Sequence, residues 1–224
     1  MNVNVDYIEA IAKELIAKNQ FLCGLLRISI SRGIGGQGYQ PPLEASNTIV
    51  IETIKHEISN INHSNDLWFS AFKKIPASCI NPNIKLMSGT QSILAKIEAL
   101  QYNCCESLLL DEYDNICEGA SSNIFWIKNN IIFTPAKTNP IYQGSIREAI
   151  LNLFPNTKEV NAPLASLNDA EEIFLTNTAW KIKSISCIKN LSVKVFDSHY
   201  TNQIVGKLKE DINEKTRHLN AWQL

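Results

Sequence analysis

The sequence predicts a mixed α/β chain folded as two unequal lobes. Segments with apolar residues at helical spacing alternate with short apolar runs that read as strands. Turn signals separate those runs along the second half of the chain. Residues 76–83 (PASCINPN) are rich in Pro, Ser and Asn and show no period, which places a boundary there. The expected division is a small lobe over residues 1–78 and a large lobe over 79–224.

In the small lobe, Ile8, Ile11, Ala12 and Leu15 recur at helical spacing over residues 5–18, with Glu9, Lys13, Glu14 and Lys18 elsewhere. A strand follows over 25–32, with Ile28 and Ile30 on one face. Residues 47–53 (NTIVIET) are mostly apolar and predict a strand buried on both faces. Residues 67–72 give a weaker third strand. In the large lobe, Ile93, Leu94, Ile97 and Leu100 share one face of a helix over 88–100, which opens with the capping-box pattern Ser88-x-x-Gln91. Short strands are expected at 107–110, 116–118, 123–128 and 131–134, with turns at 111–115 and at Asn129-Asn130. A helix at 145–154, a strand at 172–175 and a final helix at 202–215 complete the set.

Composition narrows the function. The 224 residues carry 21 Lys+Arg and 22 Asp+Glu, a net charge of −1, so there is no global field to hold a nucleic acid. A hydrophobic content of 45% with 19% charged residues is that of a folded globular chain. The six cysteines form no C-x-x-C pair and have no His at ligand spacing, which argues against a metal site. Vicinal Cys104 and Cys105 among scattered single thiols fit a reducing compartment. No basic segment leads into an apolar stretch at the N-terminus, and no run of about 18 apolar residues occurs. The expectation is a soluble, cytoplasmic protein with neither membrane nor nucleic-acid partner.

Single motifs carry little weight. The glycine loop from Arg32 to Gly38 (RGIGGQG) fails as a dinucleotide fingerprint because Gln40-Pro41-Pro42 follows instead of a helix, and by itself it reads as a tight turn. Gly144-Ser145-Ile146-Arg147-Glu148 has capping-box spacing, and the free amides of such a helix start suit a phosphate, although most boxes only cap. Asn177 and Thr178 close an apolar strand, as a turn or as anion ligands. Glu118 is either exposed or paired with a cation in a site. Lys85 stands among Ile84, Leu86 and Met87: it either snorkels or, desolvated, serves as a nucleophilic amine.

In order along the chain, Ile84-Lys85, Glu98-Ala99, Leu108 to Asp111 (LLLD), Glu118 to Phe125 (EGASSNIF), Phe133-Thr134-Pro135, Gly144-Ser145-Ile146-Arg147 and Ala170 to Thr178 (AEEIFLTNT) resemble the class-IV aminotransferase family of fold type IV pyridoxal-phosphate enzymes. Within it, residues 30–39 (ISRGIGGQGY) look most similar to the aminodeoxychorismate lyases. The resemblance implies a two-lobed D-amino acid aminotransferase-like fold, pyridoxal 5'-phosphate as cofactor, a small-molecule substrate and a homodimer.

It also implies roles. Lys85 corresponds to the lysine that links the cofactor and moves protons at the substrate carbon, and Glu118 to the carboxylate facing the pyridine nitrogen. Ser145 and Ile146 match the phosphate-binding amides, Thr178 the phosphate-binding hydroxyl, Asn177 a cofactor or substrate contact, and Arg32 a substrate-side position. The implied reaction converts 4-amino-4-deoxychorismate to 4-aminobenzoate and pyruvate, a step toward folate. The alternatives are an aminotransferase of branched-chain or D-amino acids and a truncated, non-catalytic homologue. Two departures stand out: Leu86-Met87-Ser88-Gly89 replaces the family's usual residues after the lysine, and relatives begin with further small-lobe strands and a phosphate-binding Arg. The small lobe is therefore expected to be incomplete.

Overall fold

Asn4 caps the first helix, α1 (Val5–Asn19), by accepting the amide N–H of Tyr7 at 3.1 Å, and Ile8 and Ala12 form its buried face. Two antiparallel strands follow, β1 (Gly24–Ser31) and β2 (Thr48–Lys55), paired from Gly24–Lys55 to Ser31–Thr48. The computed structural model describes residues 3–20, 24–44, 46–55, 64–191, 193–195 and 198–216; Cys23 and Arg217 lie outside them. Burial alternates along β2, and Val50 is 48% exposed, so the strand is not buried on both faces as its composition predicts. Among the described residues its sheet has only two strands, and β2 packs against α1.

The chain divides into two compact units, Met1–Ile61 and Asn62–Leu224. The division comes earlier than the boundary at 78/79 read from the turn-rich stretch. β3 (Asp66–Phe69), assigned to the small lobe by its order in the chain, lies parallel to β4 (Glu106–Leu110) in the second unit. Strand pairing over a gap of some forty residues decides its membership, and nothing local in the sequence reports it.

The second unit is built on one ten-stranded sheet. It contains β5 (Ile116–Gly119), β6 (Asn123–Lys128), β7 (Ile131–Pro135), β8 (Lys158–Val160), β9 (Glu172–Asn177), β10 (Lys181–Ile185), β11 (Cys187–Ile188) and β12 (Val193–Lys194) beside β3 and β4. The main path runs β10-β9-β6-β5-β4-β3-β11-β12, with β7 on β6 and β8 on β7. Asn129 and Asn130 both take left-handed backbone in the tight β6–β7 connection, which is the chemistry that two-residue hairpins demand.

β6 is buried on both faces and feeds two cores. Ile124 and Trp126 join Leu67, Leu108 and Leu175 on one side. Phe125 and Ile127 join Phe174 on the other, together with Ile146 and Ile150 of α3 (Ser145–Leu153) and Ile204 and Leu208 of α4 (His199–Thr216). Phe125 and Phe174 stack with ring centroids 5.0 Å apart. α4 starts three residues before the position read from the sequence. The buried carboxylate of Glu172 accepts the amides of Tyr200 and Thr201 and the Thr201 hydroxyl, and so caps a helix from a strand 28 residues away.

α2 (Thr90–Gln101) departs most from expectation. Its apolar stripe faces outward, with Ile93 56% and Ile97 48% exposed, while Ala95 and Ala99 are the residues buried toward β3 and β4. Two methyl side chains let the helix approach the sheet closely, and the bulkier face is left without cover. The first helical hydrogen bond joins Ile93 N–H to Gly89, so Gly89 is the cap and the Ser88–Gln91 box is not formed. α3 behaves alike: Gly144 is its cap, Ser145 is its first helical residue, and no side chain caps it.

Candidate active site

A cavity of about 550 Å³ opens in the second unit. Its walls come from Lys74 and Ile75, the irregular segment 80–89, the first turn of α2, the turn after β5, the start of α3 and the end of β9. Two glycines let these pieces meet. A Cβ on Gly119 would collide with the Ser122 hydroxyl, and one on Gly144 would stand 2.5 Å from Asn123 Oδ1. Gly144 can therefore rest against Asn123, which directs the uncapped start of α3 into the cavity.

Glu118, which faces Leu109 of β4 and Asn123 of β6 in register, is the buried charge of this site. Its Oε1 accepts the Lys74 ammonium at 2.7 Å. Its Oε2 accepts the Tyr142 amide N–H at 2.9 Å and the Asn123 side-chain N–H at 3.2 Å. Burial pushes the carboxyl up from its ordinary value, while Lys74, the Tyr142 amide and Lys85 pull it back. An ionised carboxylate has about four acceptor sites. Three are taken, which leaves one on Oε1 for a donor inside the cavity.

Lys85 lines the same cavity, and its ammonium lies 4.1 Å from the centre of the Tyr142 ring. The sequence puts it among apolar neighbours, but Lys85, Ile84, Leu86 and Met87 are all exposed. The loop has no period that would turn those side chains inward together. Lys85 is therefore an accessible amine held on an aromatic face, and among the described residues the desolvated alternative is not formed.

Ser145, Ile146, Asn177 and Thr178 line the same cavity. The first amides of α3 have no intrahelical acceptor and no capping side chain, the arrangement that receives a phosphate or carboxylate. Thr178 is another lining residue of the cavity. Asn177 is largely engaged within the chain, with one side-chain N–H left over. Its Oδ1 accepts the amides of Ala179 and Trp180, both at 3.0 Å, and its Nδ2 donates to Ser121 O at 3.2 Å. It shapes the turn that carries Thr178. Arg32 is exposed just after β1, in the first unit. The glycine loop after it is a tight turn, with Gly33, Gly35, Gly36 and Gly38 all at positive φ.

Lys74 and Tyr142 carry no signal in the sequence. Lys73-Lys74 reads as surface charge, and indeed Lys73 pairs outward with Asp114 at 2.7 Å. Lys74 is turned inward because its amide donates to Leu110 O at 2.8 Å, which lays the segment along the end of β4. Among the described residues no group of His, Cys, Asp and Glu could hold a metal ion. No helix there is long and apolar enough to cross a membrane.

The family model described as amino-transferase class IV matches residues 1–188. A provisionally named branched-chain-amino-acid aminotransferase of Methanocaldococcus jannaschii is 27% identical over 205 residues, covering 90% of this chain and 70% of the relative. The branched-chain-amino-acid aminotransferase of Escherichia coli K12 is 26% identical over 200 residues, covering 85% and 64%. The chain thus spans between 64% and 70% of the length of these relatives. Among solved structures, the Escherichia coli branched-chain amino acid aminotransferase superposes with a TM-score of 0.83 at 24% identity, over 91% of this chain and 70% of that one. A Legionella pneumophila protein provisionally assigned as a 4-amino-4-deoxychorismate lyase superposes with a TM-score of 0.80 at 18% identity, over 94% and 78%. The structural matches report a shared fold, and one further match, a branched-chain aminotransferase with a TM-score of 0.86 at 19% identity, was solved with pyridoxamine 5'-phosphate.

Proposed function

The chain belongs to the class IV aminotransferase family, and from that premise we propose that it holds pyridoxal 5'-phosphate in the second-unit cavity and acts on an amino-acid-like amine. One observation carries this reading: a single cavity holds a buried carboxylate with one acceptor site left, an accessible lysine and an uncapped helix start. These three features fit a ring-nitrogen donor, a carbonyl carbon and a phosphate respectively. Once bound, the cofactor supplies an electron sink for the negative charge left at the amine-bearing carbon.

The residues divide the work. Lys85 would hold the cofactor covalently and, as a free amine, would take the proton from the amine-bearing carbon. Glu118 accepts the N–H of the pyridine nitrogen and keeps it protonated. The amides of Ser145 and Ile146 and the Thr178 hydroxyl donate to the phosphate, with Asn177 setting the turn beneath them. Arg32 is assigned to the substrate side. The outward stripe of α2 (Ile93, Leu94, Ile97 and Leu100) supports the homodimer that the family resemblance implies. The free thiols of Cys79, Cys104, Cys105, Cys117 and Cys187 suit the reducing cytoplasm.

For the reaction we favour the lyase, 4-amino-4-deoxychorismate to 4-aminobenzoate and pyruvate, which the likeness of residues 30–39 to the lyases supports. Branched-chain transamination is the second reading, supported by the names of the curated relatives. Borohydride reduction of the cofactor-loaded protein with peptide mapping tests the site: the pyridoxyl group is expected on Lys85, and a label elsewhere overturns the assignment. Pyruvate release without a keto-acid acceptor marks the lyase, whereas turnover only with an acceptor marks the transaminase. No label and no turnover with excess cofactor would mark a non-catalytic homologue.

A further inference from the structure

We propose that Lys74 is a positioning residue of this site, holding Glu118 ionised and turned so that its last acceptor site faces the cavity. The role rests on the functional reading above, but its geometry is independent of it. The Lys74 and Glu118 side chains retain only 12% and 7% of their exposure, and the ammonium stands 2.7 Å from Oε1. Such a pair is desolvated, and a carboxylate left there alone would take up a proton.

Direction matters as much as charge. Tyr142 N–H and the Asn123 amide both bind Oε2 and fix one end of the carboxylate. Lys74 binds Oε1 from one side and leaves that oxygen's other lone pair open. If Glu118 were protonated, the acidic hydrogen would occupy the position from which a ring N–H has to be accepted. The groups facing the carboxylate are Lys74, Lys85, the Tyr142 amide and Asn123, with the neighbouring Cys117 thiol held neutral by burial. Lys85 is exposed and is the lysine assigned to the cofactor, so Lys74 is the largely buried cation that remains with Glu118 whether or not Lys85 is linked.

The test reads the carboxylate itself, in protein free of cofactor. The ¹³C-carboxyl resonance of Glu118, assigned by its loss in Glu118→Gln, is titrated in the parent, in Lys74→Met and in Lys74→Arg, each checked for folding by circular dichroism. Lys74→Met is expected to raise the midpoint by ~2 pH units or more, and Lys74→Arg to restore most of the shift. If Lys74→Met fails to fold, Lys74→Arg beside Lys74→Gln carries the same comparison. An unchanged midpoint in a folded Lys74→Met or Lys74→Gln protein overturns the inference, even where borohydride still labels Lys85. A parent protein that shows the titration shift but never labels Lys85 overturns the functional reading instead, and with it the catalytic meaning of the pair.

Discussion

The Arg147 guanidinium lies 2.7 Å from the Glu159 carboxylate and 2.8 Å from Pro135 O, and the residue is 1% exposed. An arginine in the first turn of α3 is an obvious candidate to meet a phosphate at the helix start. Here it faces the other way and ties α3 to β7 and β8. Arg147→Met is expected to lower unfolding stability by about 3 kcal/mol, because it removes a buried cation and strands a half-buried carboxylate. Cofactor affinity per folded molecule should hardly change. Urea denaturation followed by cofactor titration on the folded fraction checks both.

Glu118→Gln keeps the shape of the side chain and removes its charge. The amide can still meet Tyr142 N–H through its oxygen, but it leaves Lys74 as a largely buried cation without its carboxylate and weakens the hydrogen bond to a ring nitrogen. Turnover is expected to fall by a factor of about 100 or more, with cofactor affinity falling much less, as for an interaction that strengthens toward the transition state. Equal losses in both quantities would show that the carboxylate only holds the ligand.

Gly144→Ala asks whether the contact with Asn123 matters. The added Cβ would stand 2.5 Å from Asn123 Oδ1, so Asn123 has to move, and its Nδ2 bonds to Glu118 and to Tyr142 O go with it. We expect a stability loss of about 1–3 kcal/mol and a clear drop in cofactor affinity. An alanine variant that matches the parent in both thermal melting and cofactor titration would remove this contact from the site's design.

Alkaline stability follows from the thiols. Burial raises Cys105 from the ordinary 9.0 to about 11. Between those values the folded chain keeps a proton that the unfolded chain has released, so the sign is fixed: stability falls as pH rises. The slope from this thiol approaches about 1.4 kcal/mol per pH unit in that window and vanishes below it. Replacing Cys105 with Ala should flatten the decline in denaturation midpoint between pH 9 and 11. At neutral pH, iodoacetamide should label exposed Cys79 well before Cys105 or Cys117.

Local chemistry in the sequence was enough for the elements whose ends are set by neighbouring residues. Asn129-Asn130 makes its hairpin because Asn tolerates the left-handed backbone a two-residue turn needs, and β6 runs over 123–128 as its pattern predicts. Gly144 stops and restarts the chain at α3 for a similarly local reason. The family likeness brought Lys85, Glu118, Ser145, Ile146 and Thr178 into one reading, and all five line one cavity. Three matters were decided only by the tertiary structure: the partner of Glu118, the facing of α2 and the membership of β3. Lys74 lies 44 residues from Glu118 in the chain, and an apolar stripe identifies a helix without saying which surface will cover it. Pairing energies between distant segments depend on which strands and helices are brought together, and that choice is made by the whole chain.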